Sequence, residues 1–314
     1  MRVRELLRRI ASVNEWNTGV ADLRIEDLAG SEGQSAMART CRPSVRWLHK
    51  PWFLRFQADP CLVEDQGRLF LYHEEVPLGS VCGRLRCTEL AADGTPIGPS
   101  VPVIPMHCHA AYPYVFKHQG VFYCVPETNT SRRVALYRAD APLGPWSLHS
   151  ILLEGFPAYD STIFPFDGRW WLFCTAAGAS GDSRVADLHV WYAAEPWGPW
   201  GPHRLRPVKT DIHSARPAGH PFVVDGVLYR PAQDCGPRYG ARIAINRVLT
   251  LTPEAFEEEV CSYVEPDPLG PYSAGLHTLS SAGGVVIIDG CRKQPTLNPL
   301  KTTMEIVAKV RERI

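Results

Sequence analysis

A handful of acids, histidines and one arginine stand in otherwise apolar stretches of this chain, and these are the residues that could do chemistry. Asp59 lies near the start of "ADPCLVEDQGRLFLYHEE" (58–75), which ends on Glu74 and Glu75. Glu127 closes a stretch that begins at Tyr112, Asp160 opens "DSTIFPFDGRWWLFC", Arg216 opens "RPAGHPFVVDGVLYRPAQD", and His277 opens "HTLSSAGGVVIIDG". Two carboxylates in one site, one ionised and one protonated, are the equipment of general acid–base catalysis. An arginine beside them suits bidentate contact with a carboxylate or phosphate. Plainer uses exist for each residue: Asp59 before Pro60 and Asp160 before a β-branched run could cap turns, Glu127 could bond loop amides, and Arg216 could be a structural ion pair. Adjacent strand residues point to opposite faces, so only one of Glu74 and Glu75 faces a shared site. The reading adopted is Glu75.

Metal and nucleotide chemistry find little support. His107 and His109 in "MHCHAAYP" would share a strand face, but there is no HExxH and no cysteine–histidine module with zinc spacing. No Walker A loop, Rossmann fingerprint or GxSxG elbow occurs. No cofactor and no protein-bound transition metal are expected, and a channel ion stays open.

The elements that would carry these residues repeat. The anchors Asp59, Tyr112, Asp160, Arg216 and His277 each precede an apolar run, a small polar turn ending in glycine, and a second apolar run. Runs joined by D-G or Q-G are hairpins. Spacings of about 50 to 60 residues between anchors are those of propeller blades. The expectation is an all-β, five-bladed β-propeller with four-stranded blades starting near 59, 112, 160, 216 and 277. A second phased marker, "APLGPWS", "EPWGPWG" and "DPLGPYS", suits the link between third and fourth strands, with its ring plugging a seam. The fifth repeat is short, so "EWNTGVADLRIEDL" (15–28) is expected to close the ring. Residues 29–50 are taken as a linker, 1–314 as a single domain, and the two ends as short helices. In such a ring the start of each first strand and the end of each second emerge on one face. The acids then flank one funnel, with His109, Tyr112, Arg216, His220, Gln233, Asp234, Tyr239 and His277 around it as substrate-binding candidates.

Lysine plus arginine equals aspartate plus glutamate at 33 each, so the positive field of a nucleic-acid binder is missing. The ten cysteines form no CxxC pair and several sit in apolar strands. Reduced core thiols of a cytoplasmic protein are expected. No stretch reaches the roughly 20 apolar residues of a membrane helix, so no integral membrane segment is expected.

With these motifs in order and in blade phase, the chain resembles the five-bladed propeller superfamily of family 43 glycoside hydrolases. It is more closely similar to the N-terminal domain family of glucosamine inositolphosphorylceramide transferase and its stand-alone bacterial relatives. The resemblance rests on "EWNTGV", "ADPCLVEDQGRLFLYHEE", "HAAYPYVF", "VPET", "YDSTIF", "ARPAGH", "RPAQDCGPRYG" and "GLHTLSS" with "IIDG", across residues 15 to 292. It implies a general base at Asp59 and a pKa-tuning acid at Asp160. The family's acid position holds Arg216 here, which leaves Glu127 or Glu75 for that role.

Three functions are compatible with these residues. One is a glycoside hydrolase-like or glycosyl-transferring enzyme with Asp59, Glu127 and Asp160 as its catalytic carboxylates, Arg216 for an anionic substituent, and Tyr112 and Tyr239 for a sugar face. Another is a non-catalytic sugar-binding or scaffolding propeller that assists a partner glycosyltransferase. The last is a biosynthetic isomerase or cyclase acting on a small metabolite. A sugar or glycoconjugate is the expected ligand in the first two.

Overall fold

Five two-residue turns set the hairpins. Gln66-Gly67, Gln119-Gly120, Asp167-Gly168, Asp225-Gly226 and Gly283-Gly284 all have positive φ at both positions, the type I′ geometry whose twist matches the flanking strands. The computed structural model describes residues 12–30, 38–177 and 186–295. The helices expected at the two ends lie outside them.

Each hairpin is the inner half of a blade. Leu54–Asp65, Arg68–Pro77, Arg84–Leu90 and Val101–Pro102 form the first blade; Ala111–His118, Val121–Glu127, Arg133–Ala139 and Ser147–Glu154 form the second. Tyr159–Phe166, Arg169–Ala177, Ala186–Ala193 and Gly201–Pro202 form the third, and Phe222–Val224, Val227–Asp234, Arg242–Leu251 and Phe256–Val264 the fourth. The fifth blade takes Leu279–Ala282 and Val285–Pro295 from one end of the chain, then Ser12–Ala21 and Val45–Trp47 from the other. A parallel bridge between Trp16 and Phe56 joins this blade to the first.

Alternation of apolar residues along the strands builds the core between blades rather than within them. Cys61, Phe70 and Tyr72 pack with Val115 and Phe122 between blades one and two. Tyr114, Val125 and Leu136 meet Ile163 and Leu172 at the next seam. Phe164 and Phe173 meet Leu228 and Val248 at the third, and Ile243 and Ile245 meet Leu279 and Ile288 at the fourth. Leu62, Leu69 and Leu71 close on Val285 and Ile287 at the last. Each seam buries side chains whose truncation to alanine costs about 2–5 kcal/mol. The propeller is therefore held as a ring of interfaces.

Three features differ from expectation. Residues 29–50 are not a bare linker: Arg39–Cys41 adds a parallel fifth strand to the fourth blade, and Val45–Trp47 is the outer strand of the fifth. The Pro-Gly-aromatic turns join third and fourth strands in blades two and three. The third copy instead follows the fourth blade, where Tyr272 packs on Trp47 with ring centroids 4.4 Å apart. The cysteines are free, but Cys82 and Cys108 are exposed rather than in the core. Outside the channel, the fourth blade carries a buried ion pair in which Arg230 bonds both oxygens of Glu258 at 2.8 and 2.5 Å and Lys209 adds a third contact at 2.9 Å.

Candidate active site

The three anchors that open the first, second and third blades share one backbone device. Asp59, Tyr112 and Asp160 have φ of 54°, 42° and 50°, and the strand register shifts at each of them. Left-handed non-glycine residues cost on the order of 1–3 kcal/mol and collect at functional sites. At each bulge the backbone N–H turns toward the preceding blade and finds a carboxylate. Asp59 N–H donates to Asp289 Oδ2 at 3.1 Å, Tyr112 N–H to Asp59 Oδ2 at 3.2 Å, and Asp160 N–H to Glu127 Oε2 at 3.0 Å. The acids thus link three consecutive seams at the funnel.

Around this chain of bonds the funnel floor is assembled. Asp59 Oδ1 accepts from Thr278 Oγ1 at 3.1 Å and lies 3.6 Å from His277 Nε2, whose Nδ1 is 2.5 Å from Asp289 Oδ2. His277 is stacked on Trp16 with centroids 4.0 Å apart. Asp160 Oδ2 receives Arg216 Nε and, at 3.0 Å, Gln233 Nε2. The Arg216 guanidinium lies 5.2 and 5.3 Å from the Tyr159 and Tyr239 ring centres, within cation–π range. Tyr239, 36% exposed, is open to solvent.

Burial and like charge set the protonation of the acids. Burial pushes Asp59 up to about 6, against the pull of His277. Burial and the charge of Asp160 push Glu127 well above the carboxylate range, although Arg216 opposes them. Burial, Asp59 and Glu127 do the same to Glu74. His277 is raised: burial alone would lower it, and Asp289 and Asp59 outweigh that. One site therefore holds an acid that ionises near neutrality and others that keep their protons.

Asp59, His277 and Asp289 bring ligand-type atoms within 4.8 Å of one another. Those atoms already bond each other, Thr278 and backbone N–H groups, so the trio is a hydrogen-bonded unit of the floor. Beneath it the channel is filled, with a cavity of about 10 Å³ between Pro60, Tyr114 and His220.

The structure brings together Asp59, Glu127, Asp160, Arg216, Gln233, Tyr239 and His277, all expected there. His109 stands beside them, 3.9 Å from Glu74 Oε1. Four others are placed differently. Tyr112 is 2% exposed and its hydroxyl lies between Thr162 and the Gly219 N–H, so its ring fills the channel and cannot stack on a ligand. His220 sits deeper, against Val115 O and Ser280, and burial lowers it to about 4. Asp234 faces the opposite side of its strand from Gln233 and binds His213 and Arg242. Glu75 turns outward to Arg86 and Ser100.

Glu74 is the acid that faces Asp59 and Glu127. The bulge at Asp59 makes Ala58, not Asp59, the partner of Glu74, as Ala111 is the partner of Glu127. A signal was available: Glu74 and Glu127 each stand seven residues beyond their turn glycines, Gly67 and Gly120. Trp16, the platform under His277, carried no signal beyond its place in the closing strand.

Comparisons with known proteins agree with this architecture. Residues 40–269 match the family described as glucosamine inositolphosphorylceramide transferase 1, N-terminal. The chain is similar to glucosamine inositolphosphorylceramide transferase 1 of Oryza sativa subsp. japonica, 31% identical over 248 residues that cover 76% of this chain and 33% of the relative. The Arabidopsis thaliana protein of that name is 32% identical over 252 residues, 76% of this chain and 32% of its own length. The chain thus spans about a third of the curated relatives it matches. Among solved structures, the catalytic domain of Coprinopsis cinerea GH62 α-L-arabinofuranosidase superposes with TM-score 0.54 at 14% identity, covering 85% of each chain. A family 117 glycoside hydrolase of Zobellia galactanivorans gives TM-score 0.53 at 15% identity, covering 75% of this chain and 84% of its own. At these identities the structural likeness speaks for the propeller fold.

Proposed function

We propose, from the premise that the chain belongs to the N-terminal family of glucosamine inositolphosphorylceramide transferase 1, that its funnel is the active site of a carbohydrate-active enzyme working at a glycosidic bond. The observation that carries this reading is the divergence of two buried carboxylates at one mouth: Asp59 is pushed up only to about 6, while Glu127 is held well above the carboxylate range. Acid–base cleavage of a glycosidic bond needs such a pair.

In this mechanism Asp59 takes the proton of an incoming water or sugar hydroxyl, or attacks the anomeric carbon itself. Glu127 gives its proton to the departing oxygen as the bond to that carbon breaks. Its Oε2 is engaged by the Asp160 N–H, which leaves Oε1 for the proton. Asp160, fixed by Arg216 and Gln233, orients Glu127 through its backbone and supplies the charge that keeps it protonated. Tyr239 offers a sugar face at the rim, and Arg216 lies beneath it. Transfer rather than hydrolysis requires only that an acceptor hydroxyl replace water. A partner glycosyltransferase belongs to the same proposal, because the named relatives are about three times as long as the matching region, and so does a cytoplasmic setting, in keeping with the free cysteines.

A second reading, a sugar-binding propeller that assists a transferase without chemistry, is favoured by the engagement of both Asp59 oxygens, by Thr278 and by the Tyr112 N–H. One substitution separates the two. Release of 4-nitrophenol from a panel of 4-nitrophenyl glycosides, with and without an alcohol acceptor, is followed for the wild type and Asp59→Asn, and binding of the same glycosides by calorimetry. Loss of turnover with binding retained supports catalysis; a change in binding with no wild-type turnover supports the second reading.

A further inference from the structure

We propose that the funnel rim on the first-blade side is a docking surface for an anionic lipid bilayer, which sets the funnel mouth against the headgroup layer. The inner hairpin of the first blade continues past Asp59 and Glu74, pairing Leu54 with Pro77. At about 3.3 Å per residue, Leu54 stands on the order of 15 Å farther out than Asp59. The two loops beyond it are tied together by the Leu78 N–H on Phe53 O at 2.7 Å. They present four apolar side chains to solvent: Trp52 is 86% exposed, Val81 52%, Phe53 50% and Leu78 40%. Trp52 and Phe53 meet edge to face at 6.0 Å.

Isolated exposed apolar residues are ordinary, but four on two joined loops at a site's mouth make a contact surface. Its charge selects the occupant. The stretches 46–58, 76–88 and 101–118 contain no aspartate or glutamate, and Arg84 and His107 on them are exposed. The loop carrying His107 reaches this rim through the Ala110 N–H on Gly83 O. Glu15, which shares a groove of about 470 Å³ with Trp52 and Arg55, is neutralised by Lys50 at 2.6 Å and Arg292 at 2.9 Å. A tryptophan-bearing apolar patch bordered by Arg84 and His107, with its nearby acid Glu15 offset by Lys50 and Arg292, fits the interface of an anionic membrane.

The test is co-sedimentation of the full chain with vesicles of phosphatidylcholine alone and of phosphatidylcholine with phosphatidylserine. Binding to the phosphatidylserine vesicles is expected, weakened by salt and by Arg84→Glu. The double variant Trp52→Ser, Phe53→Ser should lower partitioning by about tenfold. Asp59→Asn should bind vesicles as the wild type does, which keeps this result separate from that of the catalytic reading. Absence of binding, or undiminished binding by the double variant, overturns the proposal. So does light scattering that finds a wild-type dimer which the double variant splits, because the patch would then be covered by a second copy.

Discussion

Glu127 accepts the backbone N–H of Asp160 across the seam between the second and third blades, at 3.0 Å. The bond ties a catalytic candidate to the backbone of the residue whose charge raises its pKa. The same pattern at Asp289 and Asp59 means that these acids are structural links as well as chemical groups. Substitutions at the floor must therefore preserve shape.

Asp59→Asn keeps the shape. Turnover in the glycoside assay should fall by about 10²–10⁴-fold, the usual weight of one acid–base group, while thermal unfolding stays cooperative. A fall in binding that matches the fall in turnover would remove Asp59 from catalysis.

The pH profile of kcat/KM should be bell-shaped. Activity rises as pH increases through about 6, where Asp59 loses its proton, and declines at higher pH, where Glu127 loses the proton it donates. Glu127→Gln should lower the rate and abolish the descending limb. A profile whose alkaline limb survives in that variant would assign the acid elsewhere.

The neighbouring glutamates offer an internal control. Glu74→Gln alters a buried acid facing Asp59 and Glu127 that already holds its proton, so the acid limb set by Asp59 should stay in place while kcat/KM falls several-fold through the lost O–H donor. Glu75→Gln touches only the Arg86 and Ser100 contacts on the outward side of the strand and should leave kcat/KM essentially unchanged. Equal effects would contradict the orientation of the strand.

These two residues also mark where the sequence ceases to be legible. The hairpins could be read because each turn has a local requirement, positive φ at two positions, that Gln-Gly and Asp-Gly meet. The blades followed from their period. Alternation, however, is counted along an ideal strand, and a bulge reverses its parity without any residue type announcing it. The bulge lies in the strand of Asp59; for Glu74 and Glu75 the signal available is the spacing of seven from the turn glycine, which marks Glu74. Tyr112 occupies the same bulge position as Asp59 and Asp160, but its long side chain reaches across the channel to Gly219, a contact set by blades far apart in the chain. Asp234 failed through simple alternation with Gln233, whose amide holds Asp160.

Away from the funnel, the Arg230–Glu258 pair should report on the fold alone. Glu258→Gln leaves the Arg230 charge buried with one partner fewer, at a cost of about 3–5 kcal/mol in urea unfolding. Glu258 is lowered, since Arg230 and Lys209 outweigh the burial that would raise it. Its contribution is present above the ordinary value of 4.5 and is lost as pH falls through the lower folded value. The gap between wild type and variant should narrow in acid. A gap independent of pH would mean that the pair acts through packing.

Glu15 and Arg292, whose side chains meet on the strands that seal the ring, are 277 positions apart. During synthesis Ser12–Ala21 leaves the ribosome first among the described strands and waits for a partner made last. Until then Val45–Trp47 can cover only Gly19–Ala21, and the long edge that Val285–Pro295 will fill stays open, the kind of edge that invites wrong neighbours. Mature protein should accordingly form slowly, with its final zippering step gated by arrival of the far end.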